Sequence, residues 1–133
     1  LVKWNFPGLE TEEQIDDYRE TVIKNINRKS AVCALDGNTV VGFLLFSTKH
    51  NMLCHLAVHP DYRQQKIASR MIALMLENLD RKRDITVTTF RDGDEKGMAP
   101  RALYKKLGFE EGELCYDQGY PEQKFILRAV EPL

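Results

Sequence analysis

Apolar residues recur along this chain with two periods, about 3.6 in some stretches and about 2 in others, and their order predicts the elements. Ile15, Tyr18, Val22, Ile23 and Ile26 fall at helical spacing. Thr11 supplies an N-cap, with Glu12 and Glu13 in an acidic first turn, so a helix is predicted over about 11–28. Ala31 to Leu35 and Val40 to Ser47 read as strands joined by the hairpin signal Asp36-Gly37-Asn38. Met52 to Val58 is a third strand, stopped by Pro60. From Ile67, the set Ile67, Met71, Ile72, Leu74, Met75, Leu76 and Leu79 describes one helical face, and the basic run Arg81-Lys82-Arg83 suits the negative end of that helix's dipole.

Ile85 to Phe90 is rich in β-branched residues and predicts a strand parallel to the third. The unit 52–90 has the length of a right-handed crossover. Residues 91–99 form a polar loop. Pro100 opens a helix that runs to about Leu107 and stops at Gly108. Strands near 112–117 and 123–129 close the chain as an antiparallel pair around Gly119-Tyr120-Pro121. Residues 1–10 carry little periodicity and read as a short strand or an arm ending at Pro7-Gly8. No repeat, low-complexity tract or linker interrupts the pattern, so residues 1–133 are expected to form a single domain.

Composition removes several function classes. Hydrophobic content of 43% and charged content of 29% fit a globular chain. Nineteen basic against twenty acidic residues give a formal net charge of −1, with no global attraction for nucleic acid or an anionic membrane. No apolar run reaches the length of a membrane-spanning helix. Cys33, Cys54 and Cys115 are odd in number and widely spaced, which suggests neither a zinc ribbon nor a disulfide framework and fits reduced thiols in a cytoplasmic protein. The chain starts at Leu1 and not Met, so its N-terminus is trimmed, processed or a fragment, with room for a targeting segment upstream.

The candidate chemistry centres on residues 53–70. A strand running into Pro60, a polar loop and a helix from Ile67 place free main-chain N–H groups beside a strand end, an arrangement that binds phosphate. Val58-His59-Pro60-Asp61-Tyr62, followed by Arg63 and, five residues on, Ala68, resembles the cofactor loop Gln/Arg-x-x-Gly-x-Gly/Ala of the GNAT superfamily of acetyl-CoA-dependent N-acetyltransferases. The later run Leu103-Tyr104-Lys105-Lys106-Leu107-Gly108-Phe109 matches that family's Leu-Tyr-x-Lys-x-Gly-Phe motif throughout. The resemblance covers about 31–110 well and the rest by element order. Lys66 stands where the family has its central glycine, a residue that permits close approach or an unusual φ. Gly97 and Pro100 stand where the family often has Asn and Ala.

The resemblance implies an α/β fold: a mixed, mostly antiparallel sheet, flanked by helices, whose central parallel pair splays to admit a pantetheine arm. It implies acetyl transfer from acetyl-CoA to a primary amine by direct attack in a ternary complex. Leu56, Ala57 and Val58 would contact pantetheine and thioester through their main chain. Arg63, Gln64, Gln65, Lys66, Ile67, Ala68 and Ser69 would cradle the pyrophosphate, and Tyr104 would protonate the departing thiolate. A free alkyl amine has a pKa of about 10.4, so a base must also act. The glutamate that serves in some family members corresponds to Met52, which cannot. His55 and water relayed by main-chain carbonyls stay open, although plain alternation puts His55 on the opposite face from Met52 unless a bulge changes the phase.

No metal is expected, since Pro60 rules out a helix bearing His55 and His59, and Asp92-Gly93-Asp94-Glu95 lacks the remaining calcium ligands. The run Glu110-Glu111-Gly112-Glu113 with Asp117 reads first as solvated charge and second as an attraction for a cationic amine. A small-molecule or peptide amine is the expected acceptor, with small metabolite amine, peptide α-amine, protein lysine and antibiotic amine all open, and a homodimer is compatible with the family. A second reading is an acyl-CoA-binding or protein-interaction module without turnover on the same fold.

Overall fold

A computed structural model describes residues 12–63 and 66–130. The element order is α1 (Glu12–Asn27), β1 (Ala31–Asp36), β2 (Thr39–Ser47), β3 (Met52–Val58), α2 (Ile67–Glu77), β4 (Ile85–Phe90), α3 (Met98–Lys106), β5 (Glu110–Asp117) and β6 (Tyr120–Leu127), with short 3-10 turns at Pro60–Tyr62 and Glu95–Gly97. The arm at 1–10, the Thr11 cap, Gln64 and Gln65 lie outside the described residues.

The six strands form one sheet in the order β1-β2-β3-β4-β6-β5, parallel between β3 and β4 and antiparallel elsewhere. This is the mixed, mostly antiparallel α/β sheet that the resemblance implies. Side chains alternate across it. Leu44, Phe46 and Leu53 enter the core with Met71, Ile72 and Met75 of α2, while Tyr104 of α3 packs on Phe125 with ring centroids 5.9 Å apart. On the opposite face Tyr18 of α1 meets Phe43 edge-on at 6.3 Å. The cleft described below therefore has α2 and α3 on one side and α1 on the other.

The end of α2, the exposure of Leu74 and the last hairpin differ from the sequence expectation. The α2 helix stops at Glu77, where Asn78 N–H turns back to Met75 O, so Arg81-Lys82-Arg83 lies in the following turn and not in the last turn of the helix. Leu74 is 49% exposed, because at about 100° per residue it sits about 200° from buried Ile72. The last hairpin turns at Gln118-Gly119, with φ of +50° and +80°, and Asp117 pairs with Tyr120 across it. Pro121 is thus a strand residue. It sits opposite Tyr116 at the position next to the closing pair, where its missing N–H points away from β5, and past the end of β4, whose last partner is Glu122.

Asn51 fixes the geometry at the start of β3. Its side chain is fully enclosed, with 1% exposure, and its main chain has φ of +53°. Nδ2 donates to the carbonyls of Asp80 (2.8 Å) and Asp84 (3.1 Å), and Oδ1 accepts from the N–H of Asp80 (2.9 Å). One amide therefore ties the beginning of β3 to the segment that leads into β4.

Candidate functional site

Strands β3 and β4 share a single register pair, Met52 with Thr86, next to the Asn51 clamp. Beyond it the two strands run on to Val58 and Phe90 without further pairing. The gap is a cleft of about 710 Å³ lined by Leu56 and Val58 of β3, Thr88 and Phe90 of β4, residues of the loop before α2, and Tyr104 of α3.

A bulge in β3 sets which groups face the cleft. Phe46 pairs with Leu53 but Leu45 pairs with His55, so Cys54 is passed over. Ser47 and Leu45 share a face of β2, and their partners Met52 and His55 therefore share one too. The phase change that alternation alone does not provide is present. His55 also meets the Tyr18 ring edge-on at 5.1 Å. Past the bulge, His59 N–H donates to Val41 O at 2.7 Å, so the main-chain groups of His59 and, two residues back, Ala57 face β2. Those of Leu56 and Val58 face the gap, where Arg63 Nε reaches Val58 O at 3.4 Å. The Ala57 side chain is buried, and it is Leu56 and Val58 that line the cleft.

The loop into α2 is tied down at several points. His59 Nδ1 accepts the Asp61 N–H at 3.2 Å, so this imidazole caps the Pro60–Tyr62 turn. Tyr62 donates its hydroxyl to Asp36 Oδ2 at 2.6 Å, which fastens the loop to the β1–β2 hairpin. Lys66, at the N-cap of α2, has φ +62° and ψ +17°. The left-handed conformation that a glycine would adopt freely is thus held by a lysine. The first helical bond there is Arg70 N–H to Lys66 O, which leaves the N–H groups of Ile67, Ala68 and Ser69 without intrahelical acceptors at the cleft. Lys66→Gly is expected to raise stability by about 0.5–1 kcal/mol, the left-handed penalty less the extra chain entropy of glycine. Urea melts check this, and a loss of stability would contradict it.

The α3 helix carries Tyr104 against the cleft. Arg101 holds the helix by donating Nη1 to Phe90 O (3.0 Å) and Gln123 Oε1 (2.8 Å) and Nη2 to Glu111 Oε1 (2.8 Å), with its guanidinium 4.9 Å above the Phe125 ring. Gly97, at the start of α3, is buried. A Cβ there would sit 2.9 Å from Phe90 Cβ, so a side chain such as asparagine does not fit at this position. Tyr104 is 4% exposed, packed between Phe109 and Phe125. Burial, and then the charge of Glu122, push its phenol well above the ordinary tyrosine range. Among the described residues its hydroxyl has no hydrogen-bond partner.

Glu122 was not legible as a site residue. It is 7% exposed on β6, opposite Phe90, and lines the same cleft as Tyr104 and His55. Burial, with Asp117 adding to it, raises its carboxyl to about 7. Among the described residues it has no ion-pair partner. Burial lowers His55, and Asp117 opposes that shift. The signal that could have found Glu122 is the Gln118-Gly119 turn, which places 122 inside the strand; a turn read at 119–121 leaves it in a loop. Among the described residues no group of three or more His, Cys, Asp or Glu side chains is arranged to hold a metal ion, and no helix is long and apolar enough to cross a membrane.

Residues 27–111 match the family described as the acetyltransferase (GNAT) domain. No curated protein matches the chain by sequence. Among solved structures, a GNAT-family acetyltransferase from Bacillus cereus superposes with a TM-score of 0.67 at 22% identity, over 87% of this chain and 82% of its own. The PaiA N-acetyltransferase of Thermoplasma acidophilum, solved in complex with coenzyme A, gives 0.63 at 19% identity over 92% and 84%. The NatC complex bound to Gag peptide and CoA gives 0.64 at 18% over 84% and 79%. With the family match spanning well over half of its length and the splayed β3–β4 pair at its centre, this chain belongs to the GNAT acetyltransferase family.

Proposed function

We propose that the protein transfers an acetyl group from acetyl-CoA to a primary amine by direct attack in a ternary complex. The observation that carries this reading is the β3–β4 gap, which joins the amide-rich start of α2 to the Tyr104–Glu122 end of the cleft. Three N–H groups at a helix N-terminus without an acceptor among the described residues suit a diphosphate, and Lys66 lines the cleft there. The main-chain groups of Leu56 and Val58, which face the gap and pair with no strand there, suit the amides of a pantetheine arm as an added strand does, Arg63 Nε giving way at Val58 O, and an N–H there suits charge developing on the thioester oxygen. Arg63, Gln64, Gln65, Ala68 and Ser69 complete the proposed diphosphate loop, with Ala57 shaping the strand behind it. PaiA and NatC, both solved with coenzyme A, support the same cofactor, and the Gag peptide on NatC supports a peptide amine as one acceptor class beside small amines. The unbridged Cys33, Cys54 and Cys115 fit the cytoplasmic setting proposed here.

Tyr104 is the proposed acid. A phenol held above its usual range keeps its proton at neutral pH, and a thiolate expelled into the same enclosed space also gains proton affinity, so the proton is at hand when sulfur departs. Calorimetry with acetyl-CoA, followed by thiol release across aliphatic amines, polyamines, aminoglycosides and peptides with free amino termini, tests the reading. Saturable binding with release for at least one amine is expected. No binding removes it, and binding without release for any amine favours a module that holds acyl-CoA without turnover.

A further inference from the structure

Cys115, Asp117, Tyr120 and Glu122 share one face of the β5–β6 hairpin, because Cys115 pairs with Glu122 and Asp117 with Tyr120. Phe90, opposite Glu122 on β4, faces the same way, and its ring meets Tyr120 edge-on at 5.6 Å. This is the face away from Gln123 and Phe125, which pack toward α3, and so it is the α1 side of the sheet. Glu122 is 7% exposed and lines the cleft with Phe90, and no cation among the described residues forms an ion pair with it. The neighbouring charge of Asp117 has the same sign. A carboxylate in such a place gains a counter-ion only when a ligand brings one.

We propose that the acceptor is a cationic amine entering from the α1 side, and that Glu122 is the base that takes its proton. The inference rests on the acetyltransferase reading above. One ammonium N–H bond breaks as an O–H bond forms on the Glu122 carboxylate, and the freed electron pair attacks the thioester carbonyl carbon. The C–S bond then breaks, its electron pair leaves with sulfur, and the sulfur takes the Tyr104 hydroxyl proton. The proton still in surplus on nitrogen restores Tyr104, and the one on Glu122 passes to solvent past Asp117, so each turnover releases one proton. His55, across the gap on β3, is packed against Tyr18, and its burial-lowered basicity makes it the weaker candidate. A Glu122 carboxyl raised to about 7 is deprotonated in step with a neutral working pH.

Several groups bear on a pH profile. Asp117 and Cys115 face Glu122 from β5, Tyr104 from α3 and Tyr120 from its own strand. Arg91, after β4, spends Nε on the Glu122 main-chain carbonyl at 3.0 Å and Nη2 on Cys115 O. Glu95 and Lys96 line the cleft farther along, with Lys96 5.8 Å from the Tyr120 ring centroid.

The test is kcat against pH, from about 5.5 to 9.5, for wild type, Glu122→Gln and Glu122→Asp with the fastest amine of the panel above. Wild-type turnover should rise with pH through about 7. Glu122→Gln should lose about 100- to 10,000-fold at neutral pH, keep its acetyl-CoA affinity, and regain turnover about tenfold per pH unit as solvent supplies free amine. Glu122→Asp should restore part of the rate with a displaced acid limb. Wild-type turnover and limb in Glu122→Gln overturn the inference and leave the acetyltransferase reading standing. If Glu122→Gln does not bind acetyl-CoA, Glu122→Asp decides: an unmoved limb overturns the inference. A wild type that binds acetyl-CoA and acetylates no amine overturns both.

Discussion

Asn51→Ala is expected to destabilise the protein by about 3–4 kcal/mol, enough to lower its melting temperature by roughly 10–15 °C for a chain of this size. The side chain makes hydrogen bonds of 2.8, 2.9 and 3.1 Å to main-chain groups of Asp80 and Asp84. Truncation strands one N–H and two carbonyls in an enclosed site, and each orphan costs about 1–3 kcal/mol when no new partner arrives. Position 51 also has φ of +53°, which asparagine tolerates better than alanine. Because this amide closes the narrow end of the β3–β4 gap, the variant should bind acetyl-CoA more weakly even at temperatures where it remains folded. Urea denaturation with calorimetry at low temperature checks both effects. A loss under about 1 kcal/mol would show that the clamp is replaceable.

Tyr104→Phe should lower turnover about 100-fold or more and leave acetyl-CoA affinity nearly unchanged. The ring, with its contacts to Phe109 and Phe125, is retained, and removing the hydroxyl orphans no partner among the described residues. Stability should therefore hold, which separates a lost proton from a lost fold. Steady-state thiol release with saturating acetyl-CoA is the measurement. Unchanged kcat would remove Tyr104 from the chemistry and leave it a core residue.

Strands β3 and β4 were legible to the residue, because the first is a short apolar run and the second a β-branched one, each beside strong punctuation: Pro60 after the first, the Arg81-Lys82-Arg83 turn before the second. Their divergence was expected only through the family resemblance. No local pattern announces it, since it depends on the Cys54 bulge and on an asparagine whose partners lie 29 to 33 residues away. Lys66 could be flagged in sequence as an odd residue for its place, and its left-handed backbone gives that oddity a physical meaning. Glu122 was missed because Pro121 reads as a turn residue. Only the register shows that its absent N–H points past the end of β4. Similarly, α2 ends early because Asn78 closes it before the chain meets Asn51, a contact that no periodicity of apolar positions contains.

The central claim is that the diverging strands hold the thioester of acetyl-CoA between the α2 amides and the Tyr104–Glu122 end of the cleft. A crystal structure of the full chain with acetyl-CoA tests it most directly. The account predicts diphosphate oxygens on the main-chain N–H groups of Ile67, Ala68 and Ser69, pantetheine amides bonded to Leu56 and Val58, and the acetyl group facing Tyr104. Acetyl-CoA bound elsewhere, with β3 and β4 closed on each other by side chains, would contradict it.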